Sequence, residues 1–195
     1  MGFSFDKPAG YDEVQAGVDF TPIELGGHKL IIKKIEEVQS STGSKYLKVI
    51  FDTTPDDKQP GYYMDQWKND TREKKKWGGV ANVFPTGRDG KTSKIFKQFC
   101  TSIEKSNGTQ IQWGAGFEAS IVGKVVGGVF GEEEYLNGNN EVKTARKLFW
   151  WRSTEGLADA KIPEKRTLGE NGKPSVDADG FLNVPDVFDD EVPFS

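Results

Sequence analysis

The sequence predicts a mainly β domain: five short strands closed into a small barrel, with one helix laid against it. Its aromatic content is high, with 13 Phe, 5 Trp and 5 Tyr, and its 23 Gly and 9 Pro mark frequent turns rather than long helices. Short β-branched or alternating runs recur between clusters of turn residues. A single stretch carries the four-residue spacing of an amphipathic helix.

Residues 1–27 are polar and turn-rich and read as an N-terminal arm. Residues 29–35 (KLIIKKI) are a β-branched run and the first strand. A turn at SSTGS separates it from residues 45–53 (KYLKVIFDT), where Leu47, Val49 and Phe51 alternate with Tyr46, Lys48, Ile50 and Asp52. That period of two predicts a strand with the first set buried and Tyr46 and Lys48 facing out. Residues 61–67 (GYYMDQW) are rich in aromatics and are predicted as the third strand. Ile95, Phe99 and Ile103 then recur at helical spacing, with Thr92 or Ser93 to cap the start and Asn107-Gly108 to end the helix.

Residues 120–136 form a glycine-interrupted strand, as expected where a strand bends round a barrel corner. After the turn NGNN, residues 141–153 complete a hairpin. Three strands, a helix and two strands is the order of an OB-fold, a five-stranded Greek-key barrel with its helix between strands 3 and 4. The expected domain spans residues 28–164. Residues 165–195, rich in Pro, Gly and Asp, are expected to be a disordered acidic tail.

Charge separates the same two regions. From Arg166 onward there are two basic and seven acidic residues, which leaves the first 165 residues with 24 basic and 23 acidic groups. An acidic tail on a nearly neutral body means that any anion-binding face must come from local clustering. No apolar run approaches the ~20 residues of a membrane span. The N-terminus lacks the basic and apolar regions of a signal peptide, and Asp6 stands where a myristoylation motif has Ser or Thr. With Cys100 as the single cysteine, no intrachain disulfide can form, and a cytoplasmic location is expected.

The chain ends in PDVFDDEVPFS, where Asp189, Asp190 and Glu191 precede Val192, Pro193 and Phe194. Such a tip can place its aromatic ring in a pocket on another protein while the carboxylates meet a basic rim. It resembles the C-terminal peptide of bacterial single-stranded-DNA-binding proteins, which recruits replication and repair enzymes, although Ser195 here displaces the terminal carboxylate from the ring.

Further residues carry a second resemblance. FKQFCTSIEKSNG (96–108), Trp113 and VGKVVGGVFGEEEY (122–135), with GSKYLKVIFD and PGYYMDQW upstream, resemble the single-stranded-DNA-binding proteins of phage replication modules in Gram-positive hosts. The resemblance covers roughly residues 28–155. It implies an OB-like domain that coats single strands during phage replication or recombination, in the host cytoplasm, without supplying DNA-contacting positions.

Those positions are read from the residues themselves. Single strands are held by cations along the phosphates and by aromatic faces for the bases, and an OB-fold uses its strand 2–3 face for this. The candidates are Tyr46 and Lys48 on strand 2, and Tyr62, Tyr63 and Trp67 on strand 3. The loop after it offers Arg72, Lys74, Lys75, Lys76 and Trp77. Strand 5 offers Arg146, Trp150 and Arg152 on one face but Phe149 and Trp151 on the other, leaving the core face of strand 5 open. In each case the plain alternative is packing: an aromatic residue in a small barrel more often fills the core, and loop lysines are more often simply solvated. The expected partners are single-stranded DNA and, through the tail, replication or recombination proteins; self-association stays open.

Other motifs lack their context. Gly114 to Ala119 fits the dinucleotide fingerprint, but no βαβ unit surrounds it. Gly123-Lys124 is followed by Val125, so there is no P-loop. His28 is the single histidine, which removes His-rich metal sites. Glu132, Glu133 and Glu134 are adjacent on a strand and point alternately to opposite faces, so they do not converge on one metal ion. No cofactor and no catalytic activity are expected. The alternatives are a protein-interaction module without nucleic-acid binding and, third, a metal-dependent nuclease.

Overall fold

β1 (Gly26–Gln39) is the longest strand and the centre of a single five-stranded antiparallel sheet. The computed structural model describes residues 6–9, 21–40, 43–87 and 89–169. β1 pairs with β2 (Lys45–Thr53) on one side and with β4 (Val125–Leu136) on the other. β3 (Val80–Val83) flanks β2 and β5 (Val142–Arg152) flanks β4, so the order is β3-β2-β1-β4-β5. Gly26–Ile31 of β1 pair with β4 and Leu30–Gln39 pair with β2, so Leu30 and Ile31 pair on both sides, and a bulge falls at Lys33 between Ile32 and Lys34. A bulge adds twist, and here it sits where the central strand passes from one partner to the other.

The sheet wraps a core in which Leu30, Ile32, Val49, Phe51, Val126, Phe130 and Trp151 meet Phe99 and Ile103 of α2 (Lys94–Asn107). Phe51 sits at its centre, edge-on to Tyr63 at 5.5 Å, Trp151 at 5.8 Å and Phe130 at 6.4 Å between ring centroids. Edge-to-face packing at these distances is the favoured geometry for aromatic rings. The glycines of β4 are explained by close approach: a Cβ at Gly128 would lie 2.5 Å from Leu30, and one at Gly131 would lie 2.8 Å from the Phe149 ring.

Strands 1, 2 and 5, the helix at 94–107 and its Ser93 cap agree with the sequence reading. The third strand does not. GYYMDQW is not a strand but the body of a helix, α1 (Tyr62–Asn69), and the strand beside β2 comes later, at Val80–Val83. The cause is a cap that is not local in sequence. Asp52 of β2 accepts the Tyr63 amide at 2.9 Å and Thr53 Oγ1 accepts the Tyr62 amide at 2.9 Å. Two orphan amides of a helix start are satisfied in this way by the preceding strand. The fourth strand also begins later than read, because residues 117–121 form a third helix, α3 (Phe117–Ile121). The connection between strands 3 and 4 therefore holds α2, a 3₁₀ turn and α3, and α1 precedes them.

Strand 5 buries both of the aromatics in question. Trp151 enters the main core. Phe149, displaced by a bulge between Val129 and Phe130 pairings, lies under the Arg166 guanidinium at 3.9 Å. Arg166 is itself built into the sheet: its amide donates to Glu132 O and its carbonyl accepts from Glu134 N, both at 2.9 Å. Its side chain meets the buried Glu133, which also pairs with Lys147 at 3.2 Å. The stretch read from residue 165 as tail thus begins with residues anchored to β4. Residues 170–195, with the tip at Asp189, Asp190, Glu191, Val192, Pro193 and Phe194, lie outside the described residues, as does most of the N-terminal arm. No helix among the described residues is long and apolar enough to cross a membrane.

Candidate nucleic-acid interface

Most of the residues selected from sequence are engaged within the fold. Tyr46 is not on an open face: it is buried, with its ring 5.2 Å from Phe84. Tyr63 is a core residue, and half-buried Tyr62 packs on it at 4.9 Å. Trp77 is half-buried, and its indole N–H donates to Phe51 O at 3.0 Å, which closes the loop onto β2. Tyr46 and Trp77 are therefore both structural. Strand 2 is covered on both sides, so its alternation does not mark a solvent face.

Most of the cations on this side are engaged too. Lys48 pairs with Glu36 at 3.8 Å, and Lys34, first, with Lys48 holds that carboxyl below its ordinary range. Arg72 grips Asp70 through Nη2 at 2.6 Å and Nε at 2.9 Å, and holds its carboxyl far below the usual carboxylate range. Lys75 lies over the Trp67 ring at 4.9 Å and donates to Lys68 O at 3.2 Å. Lys74 and Lys76 are exposed on the same loop. Arg146 donates to Ile23 O at 2.7 Å and faces Glu132 at 3.6 Å.

Trp150 and Arg152 are placed differently. They line an open groove of about 1070 Å³ between the end of β5 and one face of α2. Helical spacing puts Lys94, Lys97, Gln98, Thr101 and Lys105 on that face, while Phe99, Cys100 and Ile103 are buried on the other side. Burial, first, pushes the Cys100 thiol up to about 11, so the residue is a packing group. Four cations line the groove (Lys94, Lys97, Lys105 and Arg152), with no carboxylate among the lining residues. At 1.5 Å per residue, Lys94 and Lys105 stand about 16 Å apart along the helix axis.

The walls are fixed by the core beneath them. The Phe99 ring meets Trp151 at 4.9 Å and so sets the separation of helix and strand. Ser93 Oγ accepts the Phe96 amide at 3.2 Å at the start of α2. At its end Asn107 bonds Val125 both ways, at 2.7 and 3.1 Å, and Ser106 Oγ accepts the Thr154 amide at 3.1 Å. Lys97, Lys105 and Arg152 make no ion pair or side-chain hydrogen bond with any described residue. Half-buried Trp150 supplies an aromatic wall. An electropositive trough with hydroxyls and an indole can hold a chain of phosphates and one or more bases.

The sequence reading missed Lys94, Lys97 and Lys105. Their signal was present as a stripe at spacings of three and eight residues on the predicted helix, but it was read only for its apolar face. Neither a protein-family model nor a curated protein sequence matches this chain.

Proposed function

We propose that this protein binds single-stranded DNA without sequence preference and holds the phosphates in the groove between α2 and β5. What sets the groove apart is that four cations and no carboxylate line it, beside an indole. Lys97, Lys105 and Arg152 have no carboxylate partner among the described residues, whereas Lys48, Arg72 and Arg146 on the sheet side are each paired. Cations left unpaired in a rigid trough bind a polyanion by releasing its counterions, a gain independent of base sequence.

The strand order supports an OB-like reading of the body. β1, β2 and β3 are consecutive neighbours and β4 returns beside β1, the Greek-key arrangement. With β3 and β5 at the two edges, the sheet matches a barrel left open at one seam, as OB-folds partly are. The usual strand 2–3 face is filled here by packed aromatics, so the groove beside β5 is the better path for the strand. The resemblance to phage single-strand binders supports a role in phage replication or recombination within the host cytoplasm. The acidic tip would then recruit partner proteins.

Titration of the full chain with labelled oligo-dT and with duplex of equal length, at low and moderate salt, tests the proposal. The expected result is tight binding to the single strand, weaker binding to duplex, and affinity that falls as salt rises. Equal affinity for both at every salt concentration, or no binding, contradicts it.

A further inference from the structure

Trp113, on the connection between α2 and α3, is 65% exposed, the most exposed large apolar side chain among the described residues. It is nonetheless held in place. One face of the indole stacks on Phe117 at 5.5 Å and 24°, and Phe96 flanks it at 6.1 Å. The backbone just before it is anchored twice: Ile111 is buried and its amide donates to Glu104 Oε1 at 3.1 Å, and the Gln112 amide donates to Ser120 Oγ at 3.2 Å. Gly114, at φ +75°, turns the chain immediately after the ring.

We infer that Trp113 is a stacking platform for one unpaired nucleobase of the strand whose phosphates lie along α2, an inference that rests on the function proposed above. Phe96, which flanks the indole, lies between Ile95 and Lys97, both of which line the cationic groove. Phe96 and Lys97 belong to the same turn of α2, so the indole and the cationic groove are both borne on the first turns of one helix, and the proposed strand path runs from Lys97 to the indole. The surface it meets is a single aromatic tier, flat and one ring deep, backed by the half-buried rings of Phe96 and Phe117. That shape fits the π-face of a base better than an aliphatic side chain of a protein, which needs a concave pocket. Because the ring is already stacked and its backbone anchored, little ordering cost opposes binding.

The test uses the full chain, labelled oligo-dT and an abasic deoxyribose-phosphate strand of the same length, with Trp113→Ala and Trp113→Phe variants. Trp113→Ala is expected to weaken oligo-dT binding by about 5- to 150-fold, the worth of one stacked base. Trp113→Phe is expected to recover most of that loss. Abasic-strand affinity and the salt slope are expected to stay unchanged in both variants. Unaltered oligo-dT affinity in Trp113→Ala overturns the platform while leaving the groove intact. An equal loss on both strands also overturns it, because a base-stacking role leaves the abasic strand unaffected. A wild-type chain that binds neither strand removes the proposed function and this inference together.

Discussion

At the scale of single residues, two aspartates separated by five positions have opposite electrostatic fates. Asp52 is buried, and burial pushes its carboxyl above the ordinary value despite the amides it accepts from Tyr63 and Thr53. Burial acts on Asp57 too, but hydrogen bonds from His28 at 2.9 Å, Gln59 N at 2.9 Å and Lys29 N at 2.6 Å outweigh it and hold the carboxyl below its ordinary range. The two therefore bend stability against pH in opposite directions. Asp57 stabilises the fold above the unfolded-state value of about 3.9 and loses that contribution as pH falls through its lower folded value. Asp52 favours the fold most below about 3.9 and opposes it increasingly as pH rises through its higher folded value. Urea unfolding of Asp52→Asn is expected to give stability at or above wild type at pH 7, because the side chain keeps an acceptor for Tyr63 without the buried charge. Asp57→Asn is expected to cost about 1–3 kcal/mol at pH 7 and to flatten the acid limb of the curve. A marked loss in Asp52→Asn at pH 7 would show that the charge itself holds the start of α1.

At the scale of elements, α2 is the part that the sequence describes best and the part on which the site depends. Its start is set by Ser93 and its end by Gly108, which adopts φ +61° and donates its amide to Glu104 O. Ser93→Ala and Gly108→Ala are each expected to cost about 1 kcal/mol, measured by thermal unfolding. A Cβ at Gly108 meets nothing within 4 Å, so its cost is purely conformational. These signals were legible because they are local: the cap, the stop and the four-residue apolar spacing all lie within the element. α1 was illegible for the opposite reason, since its amides are capped by Asp52 and Thr53 from β2. Its composition, two tyrosines and a tryptophan, reads as strand. Tyr46 was misplaced because alternation reveals a solvent face only when one side of a strand is open, and Phe84 covers it here. Trp150 and Arg152 were among the residues selected from sequence, whereas the lysines opposite them in the groove were not, because which helix face meets which strand is set by tertiary packing around Trp151.

At the scale of the whole molecule, the charge is divided by place as well as by sign. The body is nearly neutral, yet four of its cations, Lys94, Lys97, Lys105 and Arg152, gather along one helix and the end of one strand with no carboxylate among the residues lining their groove, while Lys48, Arg146, Lys147 and Lys165 pair with carboxylates of the sheet. The acidic stretch begins just after Arg166 and Leu168, which are bonded to β4. Any truncation meant to remove the tail alone should start beyond them. We propose that single strands are held by the groove rather than by the loop of Lys74, Lys75 and Lys76. The salt dependence of oligo-dT affinity in two triple-alanine variants, one at Lys97, Lys105 and Arg152 and one at Lys74, Lys75 and Lys76, distinguishes the two. At about 0.7 per phosphate contact on a single strand, the groove variant is expected to reduce the slope of log K against log salt by about 2, and the loop variant by much less. An unchanged slope in the groove variant, or a larger fall in the loop variant, would contradict the claim.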